Sequence, residues 1–248
     1  MRAIILAGGK GTRLSPYTSV FPKSLMPIDG VPISQIVVCQ LRAFGFDHVT
    51  FAVGHMANMI KAYFDAGNKM DIKIDYSYEN EPLGTIGALS PIEDLPEEFV
   101  VMNGDVLTDL NFAEFVEVHH KNQACATIAT YAKPVKIEYG VIISDGNNDI
   151  IGYDEKPILN YQVSMGVYAF NNSIMKYVRK NEYLDFPDLV KILIRNGEKV
   201  VQFPYHGYWM DVGCRSDYER AAEDFVKMRD RFLKHSVRFG HTVFNLHE

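Results

Sequence analysis

Residues 3–7, Ala-Ile-Ile-Leu-Ala, form an uninterrupted apolar run that stops at two glycines. A run this short, with no polar residue to alternate against, fits a strand buried on both faces. Such strands belong to parallel sheets covered by helices on each side. Over 32–44 the apolar residues Ile33, Val37, Leu41 and Phe44 recur at helical spacing, with Pro32 in the first turn and Gly45 as the stop. Residues 49–53 (VTFAV) then read as a second buried strand. Strand, loop, helix and strand in that order make a βαβ unit, which demands parallel pairing.

The pattern continues along the chain. Helices are predicted around Lys61 and over 111–120 and 189–195, and strands over 72–76, 99–102, 124–130, 163–170 and 199–203. Residues 141–143 and 150–153 flank Ser144-Asp145-Gly146-Asn147-Asn148, a β-hairpin with glycine in its loop. Ser216-Asp217-Tyr218-Glu219 has the form of a capping box opening a charged amphipathic helix to about Lys234. Residues 235–248 lack periodicity and read as a tail. With no Pro/Ser-rich linker, low-complexity tract or repeat, the expectation is one mixed α/β domain over 1–234 with a hairpin insertion, followed by that tail.

A chain of 248 residues, 47% hydrophobic, can bury a full core. Its formal charge of −6 argues against a general nucleic-acid binder, which would carry a basic stripe. Phosphates remain accessible to it if a few basic residues converge. Cys39, Cys125 and Cys214 are far apart and form no CxxC pair, which points to buried free thiols in a reducing cytoplasm. The first apolar run is too short for a signal peptide, and no stretch approaches the roughly 18 apolar residues of a membrane span. A cytoplasmic protein without a membrane partner is expected.

Gly8-Gly9-Lys10-Gly11-Thr12-Arg13 follows the first strand directly. Glycines let a backbone turn sharply and bring its N–H groups against an anion. The loop is not GxxxxGK[ST], nor a clean GxGxxG, and no acidic residue closes the second strand as a dinucleotide fold requires. Arg13 supplies a permanent planar cation just past the turn. Alone, this is equally a tight βα turn with a surface arginine. Lys23 adds a second cation, fixed between prolines in Phe21-Pro22-Lys23-Ser24-Leu25-Met26-Pro27, on a loop where α/β folds place ligands.

LAGGKGTRL followed by PKSLMPI resembles the signature of the sugar-phosphate nucleotidylyltransferases, which make NDP-sugars. Ser24 departs from it, since the family often has proline there; that bears on loop stiffness more than on chemistry. The resemblance implies a Rossmann-like α/β fold with a mixed, mainly parallel sheet flanked by helices and a small β-hairpin insertion for the sugar site. It also implies a nucleotide site formed by Leu6, Ala7, Gly8, Gly9, Gly11, Thr12, Arg13 and Lys23.

Asp105 follows a buried strand and Gly104, and Asp211 sits beside Gly213 in Trp209-Met210-Asp211-Val212-Gly213. Either aspartate alone is an ordinary strand end. Together with a phosphate loop they fit magnesium, which takes one or two carboxylates plus phosphate oxygens and water. The family's NGD and WxDxG motifs match Asn103-Gly104-Asp105 and 209–213, implying that Asn103 and Gly104 meet the nucleotide and that Asp105 and Asp211 hold Mg²⁺. Its EKP motif matches Glu155-Lys156-Pro157, implying lysine on the sugar phosphate and glutamate on sugar hydroxyls. Gly140, Met165 and Gly166 resemble backbone positions lying against the sugar.

Residues 79–88 resemble the family's base loop, with Glu79, Pro82, Gly84 and Thr85 as nucleotide contacts, in the form closest to mannose-1-phosphate guanylyltransferases. A carboxylate only accepts hydrogen bonds, and guanine offers a ring N–H and an exocyclic amine. Glu79, or Glu81 in its place, would accept from both. The expected catalytic set is Arg13 on the departing pyrophosphate, Lys23 on the triphosphate, and Asp105 and Asp211 on the metal. The expected substrates are an NTP, GTP first among them, and the 1-phosphate of mannose or a related hexose or heptose. Thymidylyl, uridylyl or cytidylyl transfer stays open, as does a non-catalytic NDP-sugar-binding regulator. A glycosyltransferase would need a DxD motif, which Asp105-Val106-Leu107 does not supply. Some members add a hexapeptide-repeat β-helix for assembly, for which this chain is too short, so homo-oligomer formation stays open.

Overall fold

The computed structural model describes residues 1–79 and 81–233; the predicted tail and the expected helix end at Lys234 lie outside the described residues. The chain opens with β1 (Arg2–Ala7), a short antiparallel pair β2 (Pro27–Ile28) and β3 (Val31–Pro32), then α1 (Ile33–Ala43) and β4 (His48–Val53). It continues through α2 (Ala57–Phe64), β5 (Lys73–Tyr78), the single turn α3 (Gly84–Gly87), β6 (Glu98–Asn103) and β7 (Val106–Thr108). After α4 (Phe112–Asn122) come β8 (Ala126–Lys136), the hairpin of β9 (Gly140–Ser144) and β10 (Ile150–Glu155), and β11 (Ile158–Asn171). The remainder is α5 (Phe186–Arg195), β12 (Val200–Tyr205), β13 (Trp209–Asp211), α6 (Arg215–Lys227) and α7 (Arg229–Leu233).

Seven strands form one sheet in the order β12-β8-β11-β6-β1-β4-β5. Pairing is parallel except around β11, which runs antiparallel to both β6 and β8. The expected mixed, mainly parallel sheet is therefore present. The apolar run of β1 sits at its centre, and its side chains divide between two faces. Ala3, Ile5 and Ala7 join α1, α2 and α4 through Val37, Leu41, Phe64 and Phe112. Ile4 points the other way, with Ile86, Phe186, Leu189 and Leu193 from α3 and α5. Full burial of one such side chain stabilises by about 1.5–3 kcal/mol, so this strand cannot be re-registered cheaply.

A third cluster lies outside the sheet. Ile28, Ile33 and Ile36 meet Leu107, Met210 and Val212 there, roofed by Phe225 and Phe232. The small β7–β13 ladder forms here, pairing Trp209 with Thr108 and Asp211 with Val106. Neither three-residue strand was legible locally. Burial also explains two corrections. The Ser216 capping box is not used: α6 begins at Arg215 with Cys214 as N-cap, and the Tyr218 N–H closes the first turn on the Cys214 carbonyl at 3.0 Å. The helix is also not continuous, because Met228 leaves helical geometry and α7 turns back. That reversal stacks Phe232 on Phe225, with ring centroids 5.5 Å apart. Pro32 stands at the N-cap of α1 rather than inside its first turn.

Cys39 and Cys125 are buried free thiols, and burial pushes Cys39 up to about 12. No helix among the described residues is long and apolar enough to cross a membrane.

Candidate active site

Parallel pairing delivers three chain segments to one edge of the sheet. Leu6 is level with Asn103 of β6, and Ala7 with Val53 of β4, so the segments beginning at Gly8, Gly54 and Gly104 leave the sheet side by side. The chain winds outward through β4 and β5 and then returns to β6 on the other side of β1. Ligands in open α/β sheets bind at this kind of reversal, beyond the carboxyl ends of the strands. A cavity of about 870 Å³ opens there, lined by Leu6, Gly8, Gly9, Asn103 and Asp105, by Glu79, Glu81, Pro82, Gly84 and Thr85, and by Lys10, Gly54, His55, Ala88 and Asp185.

The glycines of the first loop have distinct uses. A Cβ on Gly8 would come within 2.7 Å of Glu79 Oε1, and one on Gly9 would meet nothing within 4 Å. Gly9 therefore faces open space and Gly8 a neighbouring loop. Gly11 takes φ 62°, turning the chain into a short 3-10 helix over Thr12–Leu14 that carries Arg13. Its carbonyl accepts the Thr18 hydroxyl at 2.8 Å, tying down the far side of the loop.

Charges gather beside the cavity. Lys23 pairs closely with Asp105 and lies 3.9 Å from Asp211 Oδ1. The Arg13 guanidinium packs over Gly213, where an added Cβ would meet its two terminal nitrogens at 3.3 and 3.4 Å and Asp211 Oδ2 at 3.4 Å. Burial, and then the nearby Asp105 carboxylate, push Asp211 above the usual carboxylate range, against the pull of Lys23 and Arg13. Four residues from three distant stretches thus share one charge cluster, joined through the β7–β13 ladder. Asp105 belongs both to this cluster and to the cavity wall. Two carboxylates are hard oxygen donors and fit magnesium, leaving positions for phosphate oxygens and water. Among the described residues no group of three or more His, Cys, Asp or Glu comes together as a fuller metal cage.

Asn103 connects the cavity to the next part of the site. Gly166 sits in a register shift of β11 at φ 73°, and an added Cβ would lie 2.6 Å from Asn103 Nδ2. The Trp209 indole N–H donates to the Met165 carbonyl at 2.9 Å, so this bulge is held from both sides. Gly140, Glu155 and Lys156 form a separate group on the hairpin and do not line the cavity. The Tyr153 hydroxyl occupies the space left by the missing Gly140 side chain and donates to Glu155 Oε2 at 3.1 Å. Lys156 takes φ 48°, a conformation that a long side chain adopts only when its surroundings require it.

Glu79 is half-buried. Burial pushes its carboxyl above the ordinary glutamate value, and Oε2 accepts the Leu83 N–H at 3.1 Å. Glu81 is exposed on the same wall. Sequence reasoning missed Lys10, Gly54, His55, Ala88 and Asp185. Gly54 carried a usable signal, since like Gly8 it directly follows a buried strand. Asp185 carried none, because its place in the wall depends on contacts 100 residues away in the chain.

A family model described as "Nucleotidyl transferase" matches residues 2–227, and the chain belongs to that family. It is 33% identical over 241 residues to a UTP--glucose-1-phosphate uridylyltransferase of Synechocystis sp., covering 89% of this chain and 62% of that protein. It is 34% identical over 230 residues to a mannose-1-phosphate guanyltransferase of Yarrowia lipolytica, covering 88% and 62%. The chain thus spans about 62% of the length of these relatives. Among solved structures, HddC from Yersinia pseudotuberculosis complexed with GMP-PN superposes with a TM-score of 0.68 at 25% identity, covering 90% of this chain and 99% of that one.

Proposed function

We propose that this protein transfers a nucleoside monophosphate from an NTP to a sugar 1-phosphate, releasing pyrophosphate. The observation that carries the reading is the cluster of Arg13, Lys23, Asp105 and Asp211 beside a cavity entered by the glycine loop. An oxygen of the sugar phosphate attacks the α-phosphorus, the bond from that phosphorus to the oxygen bridging toward the β-phosphorus breaks, and pyrophosphate leaves with that oxygen. The attacking group is already ionised, so no enzyme nucleophile or strong base is needed. The protein's task is to hold two polyanions in line and offset their repulsion. Magnesium held by Asp105 and Asp211 would neutralise phosphate charge in that arrangement.

The chain's own groups supply the rest. Gly9 leaves the backbone open to phosphate oxygens, Arg13 takes the departing pyrophosphate and Lys23 the triphosphate. For Lys23 this means exchanging its carboxylate partners for phosphate oxygens. Lys156 takes the incoming sugar phosphate, and Glu155, aimed by Tyr153, accepts from sugar hydroxyls.

GTP is the proposed nucleotide, and mannose 1-phosphate or a related hexose or heptose 1-phosphate the acceptor. Glu79 supports this, because a carboxylate in the cavity wall suits a base that presents two donors. The guanyltransferase relative and the GMP-PN complex of the HddC structure point the same way. One observation favours uridylyl transfer instead. Glu79 Oε2 is already occupied by the Leu83 N–H, leaving one oxygen, which matches the single ring N–H of uracil; the Synechocystis relative fits that alternative. A panel crossing four NTPs with several sugar 1-phosphates, read by pyrophosphate release, tests both. GTP as the poorest nucleotide removes the guanylyl assignment. No pyrophosphate from any pair removes the transferase reading.

A further inference from the structure

Two segments that sequence analysis treated separately are bonded to each other in both directions. Thr85, in the base loop, donates its backbone N–H and its hydroxyl to Asp185 Oδ1, at 3.0 and 3.1 Å. The same hydroxyl accepts the Phe186 N–H at 2.7 Å. The N–H groups of Ile86 and Gly87 both end on the Leu184 carbonyl, at 3.0 and 2.9 Å, and the Leu184 N–H returns to the Leu83 carbonyl at 2.9 Å.

Each helix is therefore capped by the other segment. Asp185 stands at the N-cap of α5 yet makes no side-chain cap bond to its own helix. It satisfies the second amide of α3, that of Thr85, instead, and the Thr85 hydroxyl does the same for the first amide of α5. Free amides at a helix start must find acceptors, and here the exchange makes the two starts one unit. Gly84 and Gly87 permit it: Cβ atoms there would fall 2.7 Å from the Leu184 carbonyl oxygen and 2.6 Å from that of Glu182. Asp185 is already engaged within the fold. Its Oδ1 holds Thr85, its Oδ2 accepts the Tyr183 hydroxyl at 2.8 Å, and the Thr85 amide foremost holds it below the ordinary aspartate value.

We infer that Thr85 and Asp185 are positioning residues for nucleotide selection: their reciprocal cap fixes the cavity wall of Pro82, Gly84 and Thr85, and through it the stance of Glu79 toward the base. The inference rests on the transferase reading above. Glu79 is held from its other side by the Leu83 N–H, and Leu83 is bonded directly to Leu184. The chain from cap to carboxylate thus runs through two hydrogen bonds, Leu184 to Leu83 and Leu83 to Glu79.

The test compares Thr85→Val, which removes the hydroxyl but keeps the branching, with Thr85→Ser, which keeps the hydroxyl, and with Asp185→Ala. KM and kcat are measured for each NTP and for the sugar 1-phosphate, with melting temperature alongside. Thr85→Val and Asp185→Ala are expected to raise the KM of the preferred NTP about five- to tenfold and to compress its advantage over the next NTP by a similar factor. The sugar-phosphate KM should stay within about twofold, a split that general destabilisation does not produce. Thr85→Ser should recover most of the lost discrimination. An unchanged NTP KM and nucleotide preference in Thr85→Val, with only the melting temperature lowered, overturns the inference. If Thr85→Val and Asp185→Ala do not fold, Asp185→Asn is read against the same two outcomes, since it keeps Oδ1 but loses the charge that strengthens both bonds. If the wild type turns over no NTP, the transferase reading has failed, and a fluorescent NTP analogue measured by direct titration reads the cap instead. Equal affinities in wild type and Thr85→Val, or no binding by either, then overturn the inference as well.

Discussion

Replacing Gly166 by alanine separates two costs that structures usually superimpose. The first is backbone strain, because at φ 73° an L-residue with a Cβ is penalised by about 1–2 kcal/mol. The second is overlap: the new methyl would lie 2.6 Å from Asn103 Nδ2 and 3.0 Å from Cγ, but 3.5 Å from Cβ, which is ordinary contact. Forcing such an overlap costs about 1–3 kcal/mol. The single substitution should therefore destabilise by about 3 kcal/mol. In an Asn103→Ala background the methyl meets only Cβ, so just the strain remains and the cost falls to about 1–2 kcal/mol. The assay is urea unfolding followed by fluorescence. Trp209 is the sole tryptophan and donates to the Met165 carbonyl, next to the substituted position, so it reports this region directly. A Gly166→Ala cost equal in both backgrounds to within about 0.5 kcal/mol refutes the overlap and with it the placement of Asn103 against the bulge.

Ser24 Oγ is buried and makes no hydrogen bond to the described residues, so Ser24→Ala should stabilise the fold by about 1 kcal/mol in the same urea titration. His119 is buried with Nδ1 on the Thr127 hydroxyl at 2.7 Å, and desolvation lowers its pKa. The unfolded chain takes up this proton first, so stability should fall as pH drops below about 6.5 toward the folded value. His119→Gln, which does not titrate, should remove that part of the slope in melts at stepped pH. Tyr153→Phe removes the hydroxyl that aims Glu155 and should raise the sugar-phosphate KM about threefold with the NTP KM unmoved. An excess of chelator should abolish pyrophosphate release and added Mg²⁺ restore it; full turnover in chelator refutes the two-carboxylate metal assignment.

The parts of this fold that were legible are those where one segment carries its own reason. The 3–7 run has no polar residue, so only a doubly covered strand suits it, and β1 is found buried on both faces. The 141–153 hairpin was legible because Gly146 and its polar neighbours separate two apolar runs. The β7 and β13 strands were not, since neither three-residue segment is a strand except by pairing with the other. The start of α6 was misread because Ser216 and Glu219 satisfy a local pattern, whereas burial of Ala221 and Phe225 sets where the helix lies. In the candidate site, the motif positions at strand ends were readable, and the glycine loop, Glu79 and Asp105 do meet around one cavity. Asp185 was invisible, since its partner is Thr85 and nothing near either residue announces the other.

The β7–β13 ladder also has a consequence in time. A ribosome delivers the glycine loop, Lys23 and Asp105 long before Asp211. During that interval Lys23 has a single carboxylate at hand, and the ladder that brings the second has no strand to pair with. The charge cluster is therefore closed only once residues 209–211 have emerged and paired with β7, about a hundred residues behind Asp105.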